Sequence, residues 1–259
     1  RFLQVFWGLF AAGLVAVVLV FAGIAWGWFG YMPPIAELQN PKNKYATEVF
    51  SSDMVSLGSY YKKENRVGVQ YSDISPYMIN ALVATEDARF YSHSGIDAKA
   101  FIRALLTLGK KGGGSTITQQ LSKQLYSPTA GSTIERLMQK PNEWVIAAQL
   151  EQLYSKDEII TMYLNQFDFL YNAVGIKSAA KVYFNTTPAN LKLEQAAMLV
   201  GMCKNPSYYN PRRHPERALN RRNTVLNQME KYGYITEAEC DSIKELPLEL
   251  QYRSVDHKQ

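Results

Sequence analysis

The hydrophobic pattern at the start of the chain differs from that of all later segments. Residues Phe6–Phe29, FWGLFAAGLVAVVLVFAGIAWGWF, carry no charge, and about 20 apolar residues suffice to cross the hydrocarbon core of a bilayer. Aromatic residues typical of a membrane interface collect at the C-terminal end of this run, namely Trp26, Trp28, Phe29 and Tyr31. Signal peptides have a shorter apolar region before a small-residue cleavage site, whereas Pro33–Pro34 follows here. The pattern therefore predicts one retained transmembrane anchor, residues 1–31.

Beyond the anchor the hydrophobic period changes twice. Residues 32–46 are predicted to form a short extended linker. Apolar and polar residues alternate over Thr47–Val69 with a turn signal at Ser52–Asp53, which predicts two strands, as in a hairpin. From Ser75 onward the helical period dominates. We therefore expect a mainly α domain at residues 47–245, with a small β element near the membrane.

Residues that cap helix ends support the helical assignment. A side-chain oxygen at the N-cap accepts from a backbone N–H of the first turn, and a Glu three residues later completes a capping box. Glycine is favoured just past the C-terminal end. The capping signals are Ser75–Pro76, Asp97 with Gly109 at the far end, Ser132 with Glu135, Ser155 with Glu158, and His214–Pro215 with Gly233.

Composition narrows the class of partner without choosing one. Lysine and arginine outnumber the acids, 28 to 23, for a net charge of +5, which favours an anionic partner: nucleic acid, phospholipid or a phosphorylated ligand. Hydrophobic residues make up 47% of the chain, enough for a sizeable core. Neither cysteine lies in a CxxC pattern or near a histidine, so no metal framework is indicated. Cys203 is expected to be a small buried apolar residue.

Two polar stretches are candidates for chemistry, and each has an ordinary alternative. VATEDARFYSHSGID, residues 83–97, places two carboxylates after an apolar helix, but Glu86 could simply pair with a nearby arginine. GKKGGGSTITQQLSKQL, residues 109–125, combines glycines with polar residues at a helix start, which suits an anion. The pattern of a P-loop fails because Ser115, not lysine, follows the last glycine. A flexible loop before a capped helix is the alternative.

A third stretch contains an ion pair. In ERLMQKPNEWVIAAQLE, residues 135–151, Lys140 and Glu143 are three residues apart and share one helical face. Most such pairs lie on a solvated surface. Pro141 between them fits the first turn of a helix, which predicts that a helix restarts there.

Taken together, these stretches resemble one family, the glycosyltransferase 51 or peptidoglycan glycosyltransferase family. Its Glu-Asp-x-x-Phe-x-x-His-x-Gly pattern is matched by Glu86, Asp87, Phe90, His93 and Gly95. Its Gly-Gly-Ser-Thr-Ile-Thr-Gln-Gln-Leu, Lys-x-x-Glu and Tyr-Leu-Asn…Gly patterns are matched by residues 113–121, by Lys140 and Glu143, and by Tyr163, Leu164, Asn165 and Gly175. The resemblance covers Thr47 to Glu245. The chain departs from the family at Gln139, where arginine is common, at Pro141, and in NQFDFLYNAVG, which carries extra aromatics.

The resemblance implies a lysozyme-like glycosyltransferase fold that polymerises lipid II, inverts the anomeric carbon and releases undecaprenyl pyrophosphate. It assigns Glu86 as the base that takes the proton of the attacking 4-hydroxyl, since a desolvated carboxylate is a competent base. It assigns Glu143 as a second catalytic carboxylate that assists the leaving group. The substrate-binding residues that it implies are Asp87, Phe90, His93, Ser115, Thr116, Gln119, Gln120, Lys123, Arg136, Lys140 and Asn165.

Cofactors, partners and location follow from the same resemblance. No sugar-nucleotide cofactor is needed, because the energy lies in the lipid pyrophosphate. A divalent ion, Mg²⁺ or Mn²⁺, near Glu143 is an alternative to direct assistance. The expected partners are lipid II, the growing glycan chain, the bilayer and cell-wall synthesis proteins, with no nucleic acid. The expected location is the bacterial cytoplasmic membrane, crossed once, with the catalytic domain on the periplasmic or extracellular side.

Many members of this family are the N-terminal half of a bifunctional class A penicillin-binding protein. Two S-x-x-K matches, Ser59–Lys62 and Ser178–Lys181, are not joined by S-D-N or K-T-G. We therefore expect either a monofunctional protein or a transpeptidase domain beyond the chain, with residues 246–259 beginning the linker to it. Arg1 in place of Met leads us to expect upstream residues as well.

Two other functions stay open at this point. One is a lysozyme-like enzyme that cleaves peptidoglycan, which would not need the Gly-Ser-Thr-Gln-Gln pattern. The other is a catalytically inactive scaffold for cell-wall assembly, which would not need Glu86, Lys140 and Glu143 together.

Overall fold

The computed structural model describes residues 1–39, 47–50, 52, 56–60, 68–107, 113–127 and 131–253. The helices are α1 (Phe2–Ala25), α2 (Ile35–Gln39), α3 (Pro76–Glu86), α4 (Ala98–Leu106), α5 (Ile117–Tyr126), α6 (Thr133–Met138), α7 (Lys140–Leu153), α8 (Lys156–Gln166), α9 (Ile176–Phe184), α10 (Leu193–Cys203), α11 (Pro215–Lys231) and α12 (Glu237–Lys244). Strands β1 (Thr47–Phe50) and β2 (Ser56–Tyr60) pair antiparallel, with Thr47 opposite Tyr60. The predicted class, a mainly α chain with a small β element and one preceding apolar helix, is confirmed.

The apolar helix α1 differs from its predicted bounds at both ends. It begins at Phe2 and ends at Ala25. The aromatic residues after it are therefore not helical, although the apolar run to Phe29 predicted that they would be. Gly27 adopts a positive φ of 76°, which turns the chain there. The segment Phe2–Ile24 has a mean hydropathy of 2.6 and is long and apolar enough to cross a membrane.

The segment after the anchor is not an extended linker throughout, because α2 forms within it and docks on the domain. Leu38 is fully buried, and the Tyr154 hydroxyl donates to its carbonyl oxygen over 2.7 Å. One buried leucine in five residues gives no periodic signal, which is why the pattern missed this helix. The rest of that segment, residues 40–46, lies outside the described residues.

The core is built around α10, which is buried along almost its whole length. The helices α3 and α11 pack against it, while α5 packs between α7 and α8. Cys203 is buried as expected, and it is a free thiol like Cys240. The loop 87–97 and helix α5 connect these two groups of helices, because Asp87 at the end of α3 bonds to the start of α5.

The capping signals are confirmed in part. Asp97 caps α4 by accepting from the Ala100 N–H over 2.8 Å, and Ser155 with Glu158 forms a complete capping box on α8. Ser132 accepts from the Glu135 N–H, but the Glu135 carboxylate accepts from Gly131 rather than closing the box.

The predicted start and end signals of α11 are confirmed, whereas the cap residue of α3 has a different hydrogen-bond partner. Ser75 is the N-cap of α3, yet its hydroxyl donates to the Leu191 carbonyl over 2.9 Å, so a tertiary contact replaces the local cap. Pro215 opens α11, and Gly233 follows its end with a positive φ of 76°. Gly109 and Asp53 lie outside the described residues.

The C-terminal segment is packed on the domain rather than leaving it at residue 246. The Gln251 and Arg253 N–H groups donate to the Tyr183 and Val182 carbonyls over 3.0 and 2.9 Å. Residues 251–253 thus pack against the end of α9, and the position at which a linker begins stays a prediction.

Gly95 is the glycine on which the position of α5 depends. Its φ is 88°, and a Cβ atom there would lie 2.8 Å from the Ala147 carbonyl oxygen of α7. Its own carbonyl accepts from the Thr116 hydroxyl over 2.7 Å and from the Gln119 side chain over 3.4 Å. The loop 87–97, α5 and α7 thus meet at a point that has no room for a side chain.

Replacing Gly95 by alanine should destabilise the domain by about 2 kcal/mol or more, since it adds left-handed strain and a backbone clash. For a domain of this size that corresponds to a fall of at least about 4 °C in the melting temperature. Thermal unfolding of the full chain in detergent measures it. Gly113→Ala is the matched control, because nothing lies within 4 Å of its Cβ position. Equal melting temperatures for the two variants would contradict the packing argument.

Candidate active site

A cleft of about 1270 Å³ runs along one face of α5. Its walls come from the end of α3, from α6 and the start of α7, and from the segments that follow α8 and α10. The side chains that line it and carry charge or amide groups are Glu86, Gln119, Gln120, Lys123, Gln124, Arg136, Gln139, Lys140, Gln166, Asp168 and Lys204. Two smaller pockets, of about 520 and 670 Å³, open beside Lys192 and Glu194 and contain none of these groups.

Glu86 is the last residue of α3, and it projects from a buried turn into the cleft. Its side chain is 14% exposed. One carboxylate oxygen accepts from the Gln120 amide over 3.1 Å, and the other lies 3.6 Å from the Arg221 guanidinium. The buried Tyr163 hydroxyl donates to the Gln120 carbonyl oxygen over 3.1 Å, which fixes the amide orientation. Glu86 is thus oriented by neighbours and still reaches the cleft.

Asp87, the next residue, faces the opposite way and has a different role. It is 6% exposed, and one oxygen lies 2.9 Å from His93 Nε2 and accepts from the Ile117 N–H over 3.1 Å. Ile117 opens α5, where backbone N–H groups lack helical partners and the helix dipole favours an anion. Asp87 therefore joins α3, the following loop and α5.

A second carboxylate, Glu143, lies fully buried in the first turn of α7. It accepts from Arg136 through both of its oxygens, one of them over 3.0 Å, and lies 3.1 Å from Lys140 Nζ. The Ser127 hydroxyl donates to it over 3.3 Å. Helix α7 begins at Lys140, with Pro141 in its first turn, so the predicted restart is confirmed. Glu143 holds the two cations beside the cleft, since Arg136 and Lys140 are 28% and 29% exposed.

Lys123 adds a third cation to this group. Burial lowers its pKa below the usual range, the charges of Arg136 and Lys140 lower it further, and Glu143 offsets part of the shift. Lys140 Nζ also donates to Ser115 Oγ over 3.2 Å. We call Lys123, Arg136 and Lys140 the cation cluster. Three cations near one carboxylate leave a net positive charge that a polyanionic group would neutralise.

Helix α5 sets the distance between Glu86 and the cation cluster. Gln120, which contacts Glu86, and Lys123, which belongs to the cluster, are three residues apart and therefore lie on one helical face. One turn of helix rises about 5.4 Å. The residue that contacts Glu86 and one member of the cation cluster thus line the cleft about one helical turn apart along α5.

The surroundings of Glu143 do not fit a divalent cation. Its carboxylate is occupied by two cationic side chains and a hydroxyl donor, which would repel a metal ion or compete with it. Within the described residues there is no group of three or more His, Cys, Asp or Glu side chains that could hold one.

The structure places the predicted site residues in two groups. Those that line the cleft are Glu86, Ser115, Gln119, Gln120, Lys123, Arg136 and Lys140. Asp87, Phe90, His93, Thr116, Glu143 and Asn165 lie behind it. Phe90 is fully buried, and the Asn165 amide exchanges two hydrogen bonds with the Val69 backbone, over 3.1 and 3.0 Å. These contacts place the second group inside the domain. The roles predicted for its members, substrate binding for five of them and catalysis for Glu143, stay predictions.

Several cleft residues were missed by the motifs. Arg221 reaches Glu86 from α11, and Lys204, Phe167 and Leu170 enter the wall from connecting segments. Arg221 lies in a helix with several arginines, and no local pattern distinguishes it from the others. Tyr163 stood in the Tyr-Leu-Asn pattern, but its contact with Gln120 could not be read from spacing.

The residues of this site lie in a region of the chain that is similar to known proteins. The family model described as Transglycosylase matches residues 53–230. Penicillin-binding protein 1A of Escherichia coli (strain K12) is 36% identical over 93% of this chain and 29% of its own length. Penicillin-binding protein 2a of Streptococcus pneumoniae (strain D39) is 39% identical over 87% of this chain and 29% of its own length. The chain thus spans about three tenths of the length of these relatives.

Solved structures also align with this chain. The crystal structure of penicillin-binding protein 1A from Haemophilus influenzae aligns with 82% of this chain and 22% of its own, at 21% identity and a TM-score of 0.46. The family match spans more than half of the chain and includes every cleft residue that the motifs indicated. The chain belongs to the transglycosylase family, the glycosyltransferase 51 family that its motifs resemble.

Proposed function

We propose that this chain is a peptidoglycan glycosyltransferase that joins lipid II units into glycan strands. The observation that carries the proposal is the arrangement along α5, where Gln120 contacts the cleft-facing carboxylate of Glu86 and Lys123, about one helical turn further on, belongs to a cluster of three cations. Transfer of a sugar from a lipid pyrophosphate requires both groups. The attacking hydroxyl must lose a proton, and the departing pyrophosphate must be stabilised.

In the proposed reaction Glu86 acts on the nucleophile. The 4-hydroxyl oxygen of one GlcNAc forms a bond to the anomeric carbon of the MurNAc at the end of the growing chain. The bond from that carbon to the pyrophosphate oxygen breaks, and the hydroxyl proton passes to Glu86. One displacement inverts the anomeric carbon. Gln120 and Arg221 orient the carboxylate from its two sides.

The cation cluster acts on the leaving group. Negative charge accumulates on the pyrophosphate as the bond breaks, and fixed cations at that point lower the barrier. Glu143 is fully buried and occupied by Arg136, Lys140 and Ser127, so we assign it to holding the cations rather than to proton transfer. Undecaprenyl pyrophosphate leaves as the second product. No sugar nucleotide or metal is part of this scheme.

The lipid tail of the substrate places the reaction at a membrane, in keeping with the apolar helix α1. Helices α4 and α6, which flank the glycine-rich segment and the cation cluster, present large apolar side chains to solvent, and Leu106 and Ile134 are 78% and 74% exposed. The exposed members are Phe101, Ile102, Leu105, Leu106, Ile134, Leu137 and Met138; we call them the apolar face. Large exposed apolar side chains on both helices favour a membrane contact.

We propose the bacterial cytoplasmic membrane as the location, crossed once by α1, with the domain on the outer side. Lipid II, the growing glycan and cell-wall synthesis proteins are the proposed partners. Enzymes that cleave glycans between two carboxylates need no cation cluster, and neither does an inactive scaffold. The contacts of Arg136, Lys140 and Glu143 therefore favour transfer from a pyrophosphate over both alternatives.

Glu86→Gln should abolish polymerisation of labelled lipid II while lipid II binding persists, because the amide cannot accept the proton. Loss of a general base typically costs about 10²–10⁴-fold in rate. The full chain in detergent is the enzyme, and Glu216→Gln, an exposed carboxylate in the first turn of α11, is the matched control. A Glu86→Gln rate above about a tenth of the wild-type rate would rule out the base role.

Lys140→Ala and Glu143→Gln should each lower turnover by about 10²-fold, the effect of removing one preorganised stabiliser of transition-state charge. Lys140→Arg should rescue poorly, because a planar guanidinium does not replace a compact ammonium. Steady-state kinetics on lipid II measure this, with melting temperatures to identify misfolded variants. Lys244→Ala is the control, since Lys244 and Asp241 form an i,i+3 pair at the same 3.1 Å on α12. Wild-type kinetics in either site variant would show that the Lys140–Glu143 pair has no part in catalysis.

The apolar face should bind membranes without the anchor. A chain lacking residues 1–25 should float with liposomes of mixed neutral and anionic lipid, and the double variant Leu105→Ser, Leu137→Ser should float much less. Leu246→Ser with Tyr232→Ser changes two exposed apolar residues elsewhere, 41% and 42% exposed, and serves as the control. If the anchorless chain never floats, or if both double variants behave alike, the apolar face does not contact the bilayer.

A further inference from the structure

One wall of the cleft is a loop in an unfavourable backbone conformation. Residues 167–175, which we call the cleft loop, contain Leu170, Tyr171 and Asn172 at φ values of 67°, 53° and 59°. Left-handed conformations are uncommon for residues other than glycine, and three in succession require support from the surroundings. Leu170 lines the cleft that contains Glu86. The conformation of the loop therefore helps to define the shape of the site.

Backbone hydrogen bonds close the cleft loop at its base. The Phe169 N–H donates to the Ala173 carbonyl over 3.0 Å, and the Gly175 N–H donates to the Phe167 carbonyl over 2.8 Å. Gly175 has a φ of 84°, and a Cβ atom there would lie 2.8 Å from the Asn165 carbonyl oxygen. The Tyr183 hydroxyl donates to the Phe169 carbonyl over 2.6 Å. These bonds close the base of the loop, and at its tip the Leu170 carbonyl accepts from the Ala173 N–H over 2.9 Å while the Leu170 N–H donates to Asp168 Oδ1 over 2.8 Å.

The ring of Tyr171, at the tip, lies beside a cation that also contacts a second aromatic ring. The Arg212 guanidinium lies 4.8 Å from the centre of the Tyr171 ring and 3.7 Å from that of Tyr252. The two rings also meet edge to face, with centres 5.7 Å apart. Asn210, which is fully buried, accepts from the Arg212 N–H over 3.0 Å and fixes the backbone of the arginine. A guanidinium near two aromatic faces gains attraction from each.

Tyr252 is brought to this stack by the C-terminal segment 248–253, which we call the strap. The Gln251 and Arg253 N–H groups, on either side of Tyr252, donate to carbonyls at the end of α9 over 3.0 and 2.9 Å. The fully buried Arg222 donates to the Leu246 and Lys244 carbonyls over 2.8 and 3.1 Å, just before the strap begins. The register of the strap is therefore determined on both sides of the tyrosine.

We propose that Arg212 and Tyr252 are positioning residues for the substrate cleft, and that their stack on Tyr171 keeps the cleft loop in the conformation that places Leu170 in the wall. This inference rests on the proposed function for its kinetic readout, although its structural readout does not. The cleft loop reaches the cleft through Leu170, whereas Glu86 is oriented by Gln120 and Arg221. Releasing it should therefore weaken the binding of the saccharide substrate more than it slows proton transfer.

The kinetic test uses the full chain with lipid II as substrate. Tyr252→Ala and Arg212→Ala should each raise KM about tenfold, in keeping with the loss of cation–π contacts, and kcat should change much less. Tyr252→Phe retains the ring and should restore the wild-type KM. The double variant should be no worse than either single variant, since all of them remove one shared stack. The matched control is Lys231→Ala, which removes a cation 5.2 Å from the Tyr232 ring at the end of α11.

The structural test is hydrogen exchange of backbone amides, which requires no assumption about the reaction. In Tyr252→Ala the amides of Phe169 and Ala173 should exchange faster, while those within α8 keep their wild-type rates.

Unchanged exchange in the cleft loop would overturn the proposal whatever the kinetics of the variant. Faster exchange with unchanged KM would overturn the link to substrate binding. If kcat and the melting temperature fall together and Tyr252→Phe does not rescue them, the stack contributes only to the stability of the domain. Failure of the proposed function itself would appear separately, as persistent activity in Glu86→Gln.

Discussion

The hydrogen bond from the Ile117 N–H to Asp87 is the contact on which the rest of the site depends. It joins the end of α3 to the first turn of α5 through a buried carboxylate, over 3.1 Å. With Gly95 packed against α7, it determines where α5 begins and which side chains face the cleft. Gln120 then contacts Glu86, and about one turn later Lys123 lies near Arg136 and Lys140. A shift in the start of α5 would displace both contacts together.

The two glutamates of the family motifs differ in role because their surroundings differ. Glu86 has an amide on one oxygen and a more distant guanidinium on the other, and it remains partly exposed to the cleft. Glu143 is fully buried and surrounded by donors that neutralise it. Breaking a buried ion pair by removing one partner is strongly unfavourable, so the Glu143 contacts keep Arg136 and Lys140 in fixed positions. Catalysis of glycosyl transfer by this domain would depend on that preorganisation as much as on the base.

The sequence predicted the features that are encoded locally. The mainly α class, the hairpin, the Asp97 and Ser155 caps and the restart of a helix near Lys140 each depend on residues within a few positions of one another. The family motifs indicated most of the charged residues in the cleft. The docking of α2 by Leu38, the Ser75 bond to Leu191 and the approach of Arg221 to Glu86 could not be predicted. Each joins residues far apart in the chain, and only the packed structure brings them together.

The proposed mechanism depends on a base and a pyrophosphate site that α5 presents about one turn apart along its axis. The most direct test is an experimental structure of the full-length Glu86→Gln chain with lipid II bound. Our account predicts pyrophosphate oxygens at hydrogen-bond distance, about 2.7–2.9 Å, from Arg136 and Lys140. It also predicts the GlcNAc 4-hydroxyl of the attacking molecule at residue 86. A pyrophosphate bound away from α5, or an attacking hydroxyl out of reach of residue 86, would contradict the account.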